Sequence, residues 1–415
     1  MSEMQVFTGK FYYENGFQDL TIDVTDGVIS KIRKFQKGEY GIPIEGAVFP
    51  GFVDVHVHFR DPGETEKEDF KSGSMSAAFG GTTTVFDMPN NSIPITDYKQ
   101  YDRKKSIVHG RSYVDYGLYS LYDGTNRHML ANESPAFKVF MGESTNSNGF
   151  NGDYLTDSFF QTMEKPILFH TELASCLEAH RKKEELNTLA DHDANRPPEC
   201  ERKAMEILSK LKAKKKIAGH VSDWDNTGVL DSGTSKEMTP HHMLLDYSMP
   251  LGAYGKVNPP LRDPLITRKN FQAFLDGKVD ILSSDHAPHT ERDKEDLTHS
   301  KSGIIGVETR IPLMLALVQK KILPLDVLVN SGSKNPSLIY GLSKGQIKLG
   351  CHADFVSVKF SNLERLNEDR LHSKTPITPF NGFQVIFPDS VFVRGQEVIS
   401  KRELVEEPRG EIIES

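Results

Sequence analysis

The middle of the chain alternates between short apolar runs and longer segments with helical spacing of apolar residues. The runs that predict strands are "GFVDVHVH", "TTTVFDM", "YVDYGLYS", "AFKVFMG", "PILFHTE", "KIAGHVS", "SKEMTP" and "VDILSSD". Segments such as "EDFKSGSMSAAFG" and "ECERKAMEILSKLKAKK" lie between them and predict helices. About eight successive strand-helix units are typical of a parallel (β/α)8 barrel.

The two ends of the chain have a different pattern. Segments with alternating polar and apolar residues, such as "QVFTGKFYY" and "SVFVRGQEVIS", predict short strands. Asn-Gly and Asp-Gly pairs predict tight turns between the N-terminal strands. We therefore expect an α/β fold in which a (β/α)8 TIM-like barrel spans 49–348. A small β domain is expected to combine 1–48 with 349–415.

Composition excludes some classes of protein. The 415 residues include 50 Lys and Arg and 58 Asp and Glu, and the resulting charge of −8 argues against a nucleic-acid surface. No apolar run is long enough to cross a membrane, and "MSEMQVFTGKFYYENG" does not resemble a signal peptide. Cys176, Cys200 and Cys351 are odd in number and far apart, so we expect no disulfide framework and a reducing cytoplasm.

Side chains that can bind metal lie at the C-terminal ends of five predicted strands, where barrel enzymes carry their reactive groups. They are His56, His58, Lys138, His170, His220 and Asp285. Alternate residues of a strand share a face, so His56 and His58 can bind one metal ion, and His170 and His220 can bind a second. Singly, each residue also has a structural interpretation, as a hydrogen-bonded core residue or a turn cap. The whole set favours a metal site.

Two close divalent ions need an anionic bridge. Lys138 as an ammonium would repel them, but its amine can react with carbon dioxide to give a carbamate, N6-carboxylysine, which can span two metals. Nearby cations favour the neutral amine that this reaction needs. Two Zn²⁺ ions with a bridging water predict hydrolysis of an amide-like bond, or its reverse, with Asp285 as the catalytic group that moves the proton.

Four longer motifs resemble a known family. "PGFVDVHVHFRDPG", "EDFKSGSMSAAFGGTTTVFDMPNN", "VNPPLR" and "SSDHAPHT" are similar to motifs of cyclic amidohydrolases, and specifically of type I dihydroorotases. The resemblance implies a binuclear zinc site, with the first zinc at His56, His58 and Asp285. It places His170 and His220 at the second zinc and Lys138 between the two.

The resemblance also implies a substrate and a pathway. The reaction would be reversible cyclisation of N-carbamoyl-L-aspartate to (S)-dihydroorotate plus water, the third step of de novo pyrimidine (UMP) synthesis. Arg60 lies two residues after His58, and a guanidinium binds a carboxylate through paired hydrogen bonds. The motif "KSGIIG" departs from the family's usual Pro-Phe-Gly. The positions that match substrate-binding positions of the family are His58, Arg60, Asn90, Asn258, His289, Ser302 and Gly303.

Two alternatives remain open. Allantoinases and dihydropyrimidinases resemble the same scaffold, but they tend to lack the arginine of "HFRDPG" and the asparagines of "MPNN". Inactive scaffold partners of aspartate transcarbamoylase usually lack metal ligands, which are all present here. A homodimer and a complex with aspartate transcarbamoylase are left open. The segment 290–303 is expected either to close over the substrate or to be a surface loop, and Glu172 is expected to orient a ligand.

Overall fold

The structure is a computed structural model, and it describes residues 3–130, 132–143, 158–181, 185–405 and 407–414. Its strands are β1 (Met4–Tyr13), β2 (Gly16–Thr25), β3 (Val28–Lys34), β4 (Ile42–Pro50), β5 (Phe52–Val57), β6 (Thr82–Asp87), β7 (Asp115–Leu121), β8 (Ala136–Phe140), β9 (Ile167–His170), β10 (Lys216–Gly219), β11 (Thr234–Met238), β12 (Ile281–Leu282), β13 (Phe355–Val358), β14 (Glu364–Arg365), β15 (Gln384–Val385), β16 (Ser390–Val393), β17 (Gln396–Ser400), β18 (Glu403–Leu404) and β19 (Ile412–Ile413).

Its α-helices are α1 (Phe70–Phe79), α2 (Tyr98–Val108), α3 (Ser158–Thr162), α4 (Ala174–His180), α5 (Leu189–Asn195), α6 (Pro198–Lys210), α7 (Pro240–Leu244), α8 (Pro264–Leu275), α9 (Arg310–Gln319), α10 (Leu325–Val329) and α11 (Asn335–Tyr340). Within the described ranges, no helix is both long enough and apolar enough to cross a bilayer.

The barrel consists of β5 to β12, paired in chain order and parallel throughout the described part of the chain. Each strand overlaps one of the runs that predicted it, with β7 and β11 each extending one residue beyond theirs. The ring closes where Val57 pairs with His286, just after β12. Helices such as α1, α2 and α6 connect successive strands. The predicted (β/α)8 barrel is therefore confirmed.

The core has an inner and an outer part, as a closed barrel requires. A cluster that includes Val55, Phe86, Leu168 and Ile217 draws residues from nearly every barrel strand, and it fills the inside of the barrel. A larger cluster packs the other side of the strands against the helices. Every residue of β5 and β6 is buried, including the polar Asp54, Thr83 and Asp87, because both faces of these strands are covered in a parallel barrel.

The small β domain joins strands from both ends of the chain in one sheet, in the order β18-β17-β16-β13-β4-β1-β2-β3. A two-residue hairpin turn joins β1 and β2 beside the Asn-Gly pair, but its central residues are Glu14 and Asn15, with positive φ of 49° and 67°, and Gly16 already begins β2. The tail does not stay in this sheet: β19 pairs with β7 of the barrel. The domain boundaries at 48 and 349 stay a prediction.

The expectation about cysteines is wrong. Cys176 on α4 and Cys200 on α6 form a disulfide, with their Cα atoms 5.3 Å apart, and Cys351 is free and buried. The two helices follow the same barrel strand and pack together, which brings residues 24 positions apart into contact. The odd number of cysteines reflects one pair and one buried thiol rather than three independent thiols.

Thiol counting tests the disulfide. Denatured, unreduced protein should take up one equivalent of alkylating reagent at Cys351, and reduced protein should take up three, because the sequence has three cysteines. Intact-mass spectrometry measures both values. Three modified cysteines without a reductant would contradict the pairing.

A Cys200→Ser variant should lose about 3 kcal/mol of unfolding free energy, because the unfolded chain regains the entropy that the disulfide removes.

Candidate active site

The predicted site residues converge on one cavity at the C-terminal ends of the barrel strands. The cavity is lined by His56, His58, Arg60, Asn90, Lys138, Phe140, His170, His220, Asn258, Asp285, Ala287, Ser302 and Gly303. All but two of these, Phe140 and Ala287, were singled out from the sequence. His289 lies directly behind the cavity, where its Nε2 contacts Arg60 Nη2 at 3.2 Å.

The first half of the site joins the two histidines at the end of β5 to Asp285. The Oδ1 atom of Asp285 lies 3.3 Å from His56 Nε2 and 3.1 Å from His58 Nε2. The other ring nitrogens face oxygen acceptors: His56 Nδ1 lies 3.0 Å from Glu237 Oε1, and His58 Nδ1 lies 2.8 Å from Asn90 Oδ1. Both rings therefore present Nε2 to a common point beside the carboxylate.

The second half comes from β9 and the residue after β10. His170 Nδ1 and His220 Nε2 face each other at 2.8 Å. On its outer side, His170 Nε2 lies 2.9 Å from Glu172 Oε2, as the sequence predicted for an orienting residue. Arg196 holds Glu172 in place, because its Nη2 and Nε donate to the two carboxylate oxygens at 2.6 and 3.1 Å. His220 Nδ1 is buried and has no hydrogen-bond partner among the described residues.

Lys138 connects the two halves. Its Nζ lies 3.4 Å from His56 Nε2, and its side chain is fully buried. Within the ranges that the structure describes, no carboxylate oxygen comes within 4.0 Å of this amine. Burial therefore lowers the pKa of Lys138 to about 8, although Glu237 and Asp285 act in the opposite direction. At neutral pH the neutral amine is then a minor fraction, but a larger one than an exposed lysine provides.

Burial also sets the charge of the other site residues. It lowers the pKa of His58 to about 3 and lowers the pKa values of His170 and His220, so these rings are neutral at neutral pH and keep a lone pair for a ligand. Burial alone would raise the pKa of Asp285. The electrostatic effect of the neighbouring His56 and the hydrogen bond from His58 outweigh it, so the pKa of Asp285 stays well below its usual range.

Arg60 carries a buried charge beside this centre. Its side chain is 3% exposed, its Nε donates to Pro288 O at 3.3 Å, and it forms no ion pair within the described part of the chain. The neighbouring carboxylates have other partners, since Asp61 pairs with Arg111 and Glu64 with Lys67. Arg60 therefore forms no salt bridge with Asp61 or Glu64.

The remaining predicted residues surround Arg60 and the metal-binding groups. The Oδ1 atom of Asn258 lies 3.0 Å from His192 Nε2. The backbone oxygen of Ser302 lies 3.0 Å from His289 Nε2, and Gly303 N donates to Lys256 O at 2.9 Å. Gly303 has φ 144°, and a Cβ there would lie 2.5 Å from Ala287 O. Only glycine fits this approach of the loop to the strand end.

The segment 290–303 packs against the barrel rather than projecting into solvent. Lys294 is buried, and its Nζ donates to Ala253 O and Lys256 O at 3.2 and 3.3 Å. Lys67 reaches Asp293 from the loop that follows Arg60, at 3.5 Å. The segment thus lies beside the cavity in the structure, and its closure over a substrate stays a prediction.

Backbone strain concentrates at this centre. Arg60, His220 and Asp285 have positive φ values of 60°, 36° and 47°, which side chains other than glycine adopt rarely. Each directly follows or closely follows a barrel strand, so the chain turns sharply while its side chain points back at the cavity. Strained residues of this kind persist only where the surrounding contacts hold the backbone in place, and they cluster at functional sites.

Sequence reasoning missed three residues that hold the centre in place: Glu237 on β11, Arg196 after α5 and His192 within α5. Glu237 lies on a strand that reads as polar, "SKEMTP", and Arg196 and His192 lie in helical segments far along the chain from their partners. Metal-binding histidines commonly have a buried carboxylate behind them, and this rule is the one signal that would have pointed to Glu237. It would have pointed to Arg196 only indirectly, as the partner of such a carboxylate.

The residues of the first half fit a divalent metal ion. His56, His58 and Asp285 each offer one ligand atom, and these three atoms lie within 4.8 Å of one another. Neutral imidazoles and a carboxylate are donors that Zn²⁺ prefers. In the second half, His170 Nδ1 and His220 Nε2 lie at hydrogen-bond distance, 2.8 Å, and neutral imidazoles of this kind can also act as ligands of a divalent ion.

Comparison with known proteins identifies the family. Residues 47–253 match the Amidohydrolase family. The chain is 47% identical to the dihydroorotase of Thermoplasma acidophilum, covering 98% of this chain and 97% of that protein, and 47% identical to that of Thermoplasma volcanium, covering 99% and 97%. The chain belongs to the dihydroorotase family of amidohydrolases. Among solved structures, an L-hydantoinase (dihydropyrimidinase) from Arthrobacter aurescens shares the fold, with a TM-score of 0.92 and 26% identity over 99% of each chain.

A Gly303→Ala substitution tests the close approach at the cavity. We expect the free energy of unfolding to fall by about 2–4 kcal/mol, because the positive φ and the clash with Ala287 O both act. Gly382 is the control, since its φ is also positive, 82°, but an added Cβ would meet nothing within 4 Å. Denaturant unfolding compares the two variants. Equal losses would contradict the contact between Gly303 and Ala287.

Proposed function

We propose that this chain is an enzyme that interconverts N-carbamoyl-L-aspartate and (S)-dihydroorotate plus water, the third step of de novo pyrimidine synthesis. Dihydroorotase relatives at 47% identity over nearly the whole chain support this reaction. The structural observation that carries the substrate assignment is Arg60, a buried guanidinium that lines the cavity and forms no ion pair among the described residues.

Arg60 needs an anion that the described residues do not supply. A buried unpaired charge is costly, and a ligand carboxylate placed beside it removes that cost. Both substrate and product carry a carboxylate on a small molecule, and Arg60 can bind it through two parallel hydrogen bonds. Asn90, Asn258 and the backbone at Ser302 and Gly303 line the same cavity and are proposed to contact the carboxylate and the ring.

We propose that His56, His58 and Asp285 hold one Zn²⁺ and that His170 and His220 hold a second. Lys138 lies between the two groups, and its lowered pKa supports carboxylation by carbon dioxide to N6-carboxylysine. When bound, the two ions polarise the substrate carbonyl and lower the pKa of a water molecule.

Asp285 is proposed to move the proton. Because its pKa is held well below the usual range, it is a carboxylate at neutral pH and can accept a proton. In the hydrolytic direction it takes the proton of the attacking water and delivers it to the leaving ring nitrogen. In the biosynthetic direction the same oxygen donates the proton to the departing water. Its Oδ1 already lies against His56 and His58, so the carboxylate needs no reorientation.

The location and partners of the enzyme are also proposals. The substrate is a small molecule, and the reaction is expected in the cytoplasm, where pyrimidine precursors are made. A homodimer and a complex with aspartate transcarbamoylase, the class of enzyme that makes carbamoyl aspartate, are consistent with the family.

A dihydropyrimidinase is the second candidate, because the L-hydantoinase (dihydropyrimidinase) structure is so similar. Such an enzyme acts on rings without a carboxylate, and the buried charge of Arg60 would then lack a counterion. The sequence relatives and Arg60 therefore favour dihydroorotate over this substrate and over allantoin. The intact set of metal-binding side chains disfavours an inactive scaffold.

An Arg60→Ala variant tests the substrate assignment. We expect KM for dihydroorotate to rise ~10–100-fold, as loss of charge-assisted hydrogen bonds predicts. Turnover of 5,6-dihydrouracil, which is the same ring without the carboxylate, should change little. Arg202→Ala, at an exposed position of α6, is the control. Equal losses for both substrates would show that Arg60 does not bind the carboxylate.

An Asp285→Asn variant tests the proton transfer. An amide cannot accept the proton, so we expect kcat to fall ~10²–10⁴-fold in both directions. Dihydroorotate binding, measured by calorimetry, should persist. Turnover near the level of the unmodified enzyme would exclude Asp285 as the proton carrier.

A further inference from the structure

One buried carboxylate contacts both halves of the candidate metal site. Glu237 lies on β11 and is fully buried. Its two oxygens lie 3.0 and 3.1 Å from Nδ1 of His56, and its Oε2 accepts the backbone N–H of His220 at 2.9 Å. One side chain thus holds a residue from each half.

The contact with His56 sets the tautomer of that ring. A carboxylate can only accept, so His56 Nδ1 carries a proton. In the neutral ring that metal binding requires, Nε2 then keeps the lone pair. His56 Nε2 is the atom that faces Asp285 at 3.3 Å and Lys138 at 3.4 Å. Glu237 therefore directs the binding nitrogen of His56 toward the first metal position.

The contact with His220 holds a strained backbone. His220 has φ 36°, directly after β10, and the hydrogen bond from its N–H to Glu237 Oε2 stabilises this turn. Gly219 makes the approach possible, since a Cβ there would lie 3.1 Å from Glu237 Oε2 and 2.7 Å from Phe169 O. The turn then places the His220 ring 2.8 Å from His170 Nδ1 at the second metal position.

Two other buried carboxylates provide a comparison. Of the predicted metal ligands, Glu172 contacts only the ring of His170, and Arg196 balances the negative charge of Glu172. Glu201 is equally buried but accepts from Ser222 N and Asp223 N, and it touches none of the predicted metal ligands. Among these three carboxylates, only Glu237 reaches residues of both metal positions.

We infer that Glu237 is a positioning residue that couples the two metal positions, by fixing the ring of His56 and the backbone of His220 with one carboxylate. This inference rests on the proposed metal-dependent function. It predicts that loss of the carboxylate weakens both ions together, whereas loss of Glu172 weakens one.

Glu237→Gln tests the coupling. Glutamine keeps the shape but replaces one oxygen with an NH2 group, which cannot accept a hydrogen bond. The one remaining oxygen is uncharged, so it holds His56 Nδ1 and His220 N–H more weakly than the carboxylate does. Zinc ions per chain are measured by elemental analysis during titration with a chelator, on wild-type, Glu237→Gln, Glu172→Gln and Glu201→Gln proteins. The expected result for Glu237→Gln is that both ions dissociate at chelator concentrations ~10–100-fold lower than in the wild type.

The controls separate the alternatives. Glu172→Gln should release one ion early, and Glu201→Gln should hold both at wild-type affinity, whatever its thermal stability. The coupling is overturned if Glu237→Gln keeps both ions at wild-type affinity or loses only one. Wild-type protein that binds no zinc would instead refute the proposed function. If Glu237→Gln does not fold, Glu237→Asp is used, because its carboxylate is one methylene shorter, is withdrawn from both groups and should give the same joint loss.

Discussion

Closure of the barrel between β5 and the chain after β12 is the constraint on which the site depends. The strand β12 has only two residues, so few backbone bonds are available, and His58 N donates to His286 O at 2.7 Å to complete the ring. The buried Arg310 side chain strengthens this join. Its guanidinium donates to Val53 O at 3.0 Å, to Leu282 O at 2.5 Å and to Thr82 Oγ1 at 2.9 Å, so it bridges β5, β12 and β6. Only with the ring closed does Asp285 meet His56 and His58.

Closure of the barrel buries several polar and charged side chains at its mouth. The residues behind them provide the hydrogen-bond partners and opposite charges that these side chains need. Glu237 and Glu172 accept from the outer nitrogens of His56 and His170, which keeps the inner nitrogens free. Behind the end of β5, Asp87 accepts from Phe59 N at 2.7 Å and pairs with the buried Lys104 at 2.5 Å. The lysine and the arginine that line the cavity, Lys138 and Arg60, receive no such partner among the described residues. The first can become an anion by carboxylation, and the second can receive one from the substrate.

The sequence was sufficient to predict the barrel and the residues at its mouth, because both depend on local rules. Strand ends in a parallel barrel share one face of the molecule, so residues as distant as His56 and Asp285 could be grouped without coordinates. The residues that hold the site in place come together only across the folded barrel. Their contacts cannot be predicted from patterns of neighbouring residues in the sequence. Glu237 lies on a strand with a polar pattern, and the Cys176–Cys200 disulfide depends on how α4 packs on α6. Such contacts follow from tertiary packing, so spacing along the chain did not indicate them.

The groups proposed to select the substrate and to bind metal are positioned by the same two chain segments, the one after β5 and the one after β12. The solved L-hydantoinase has nearly the same fold at 26% identity, so the scaffold by itself does not select a substrate. Here Arg60, which is proposed to bind the substrate carboxylate, lies three residues after β5, and its guanidinium is held by Pro288 O and His289 from the segment after β12. These are the two chain segments whose pairing brings Asp285 to His56 and His58. A shift of the segment after β12 would therefore move Arg60 and Asp285 together, which keeps the proposed carboxylate-binding group and the proposed proton carrier in a fixed relation.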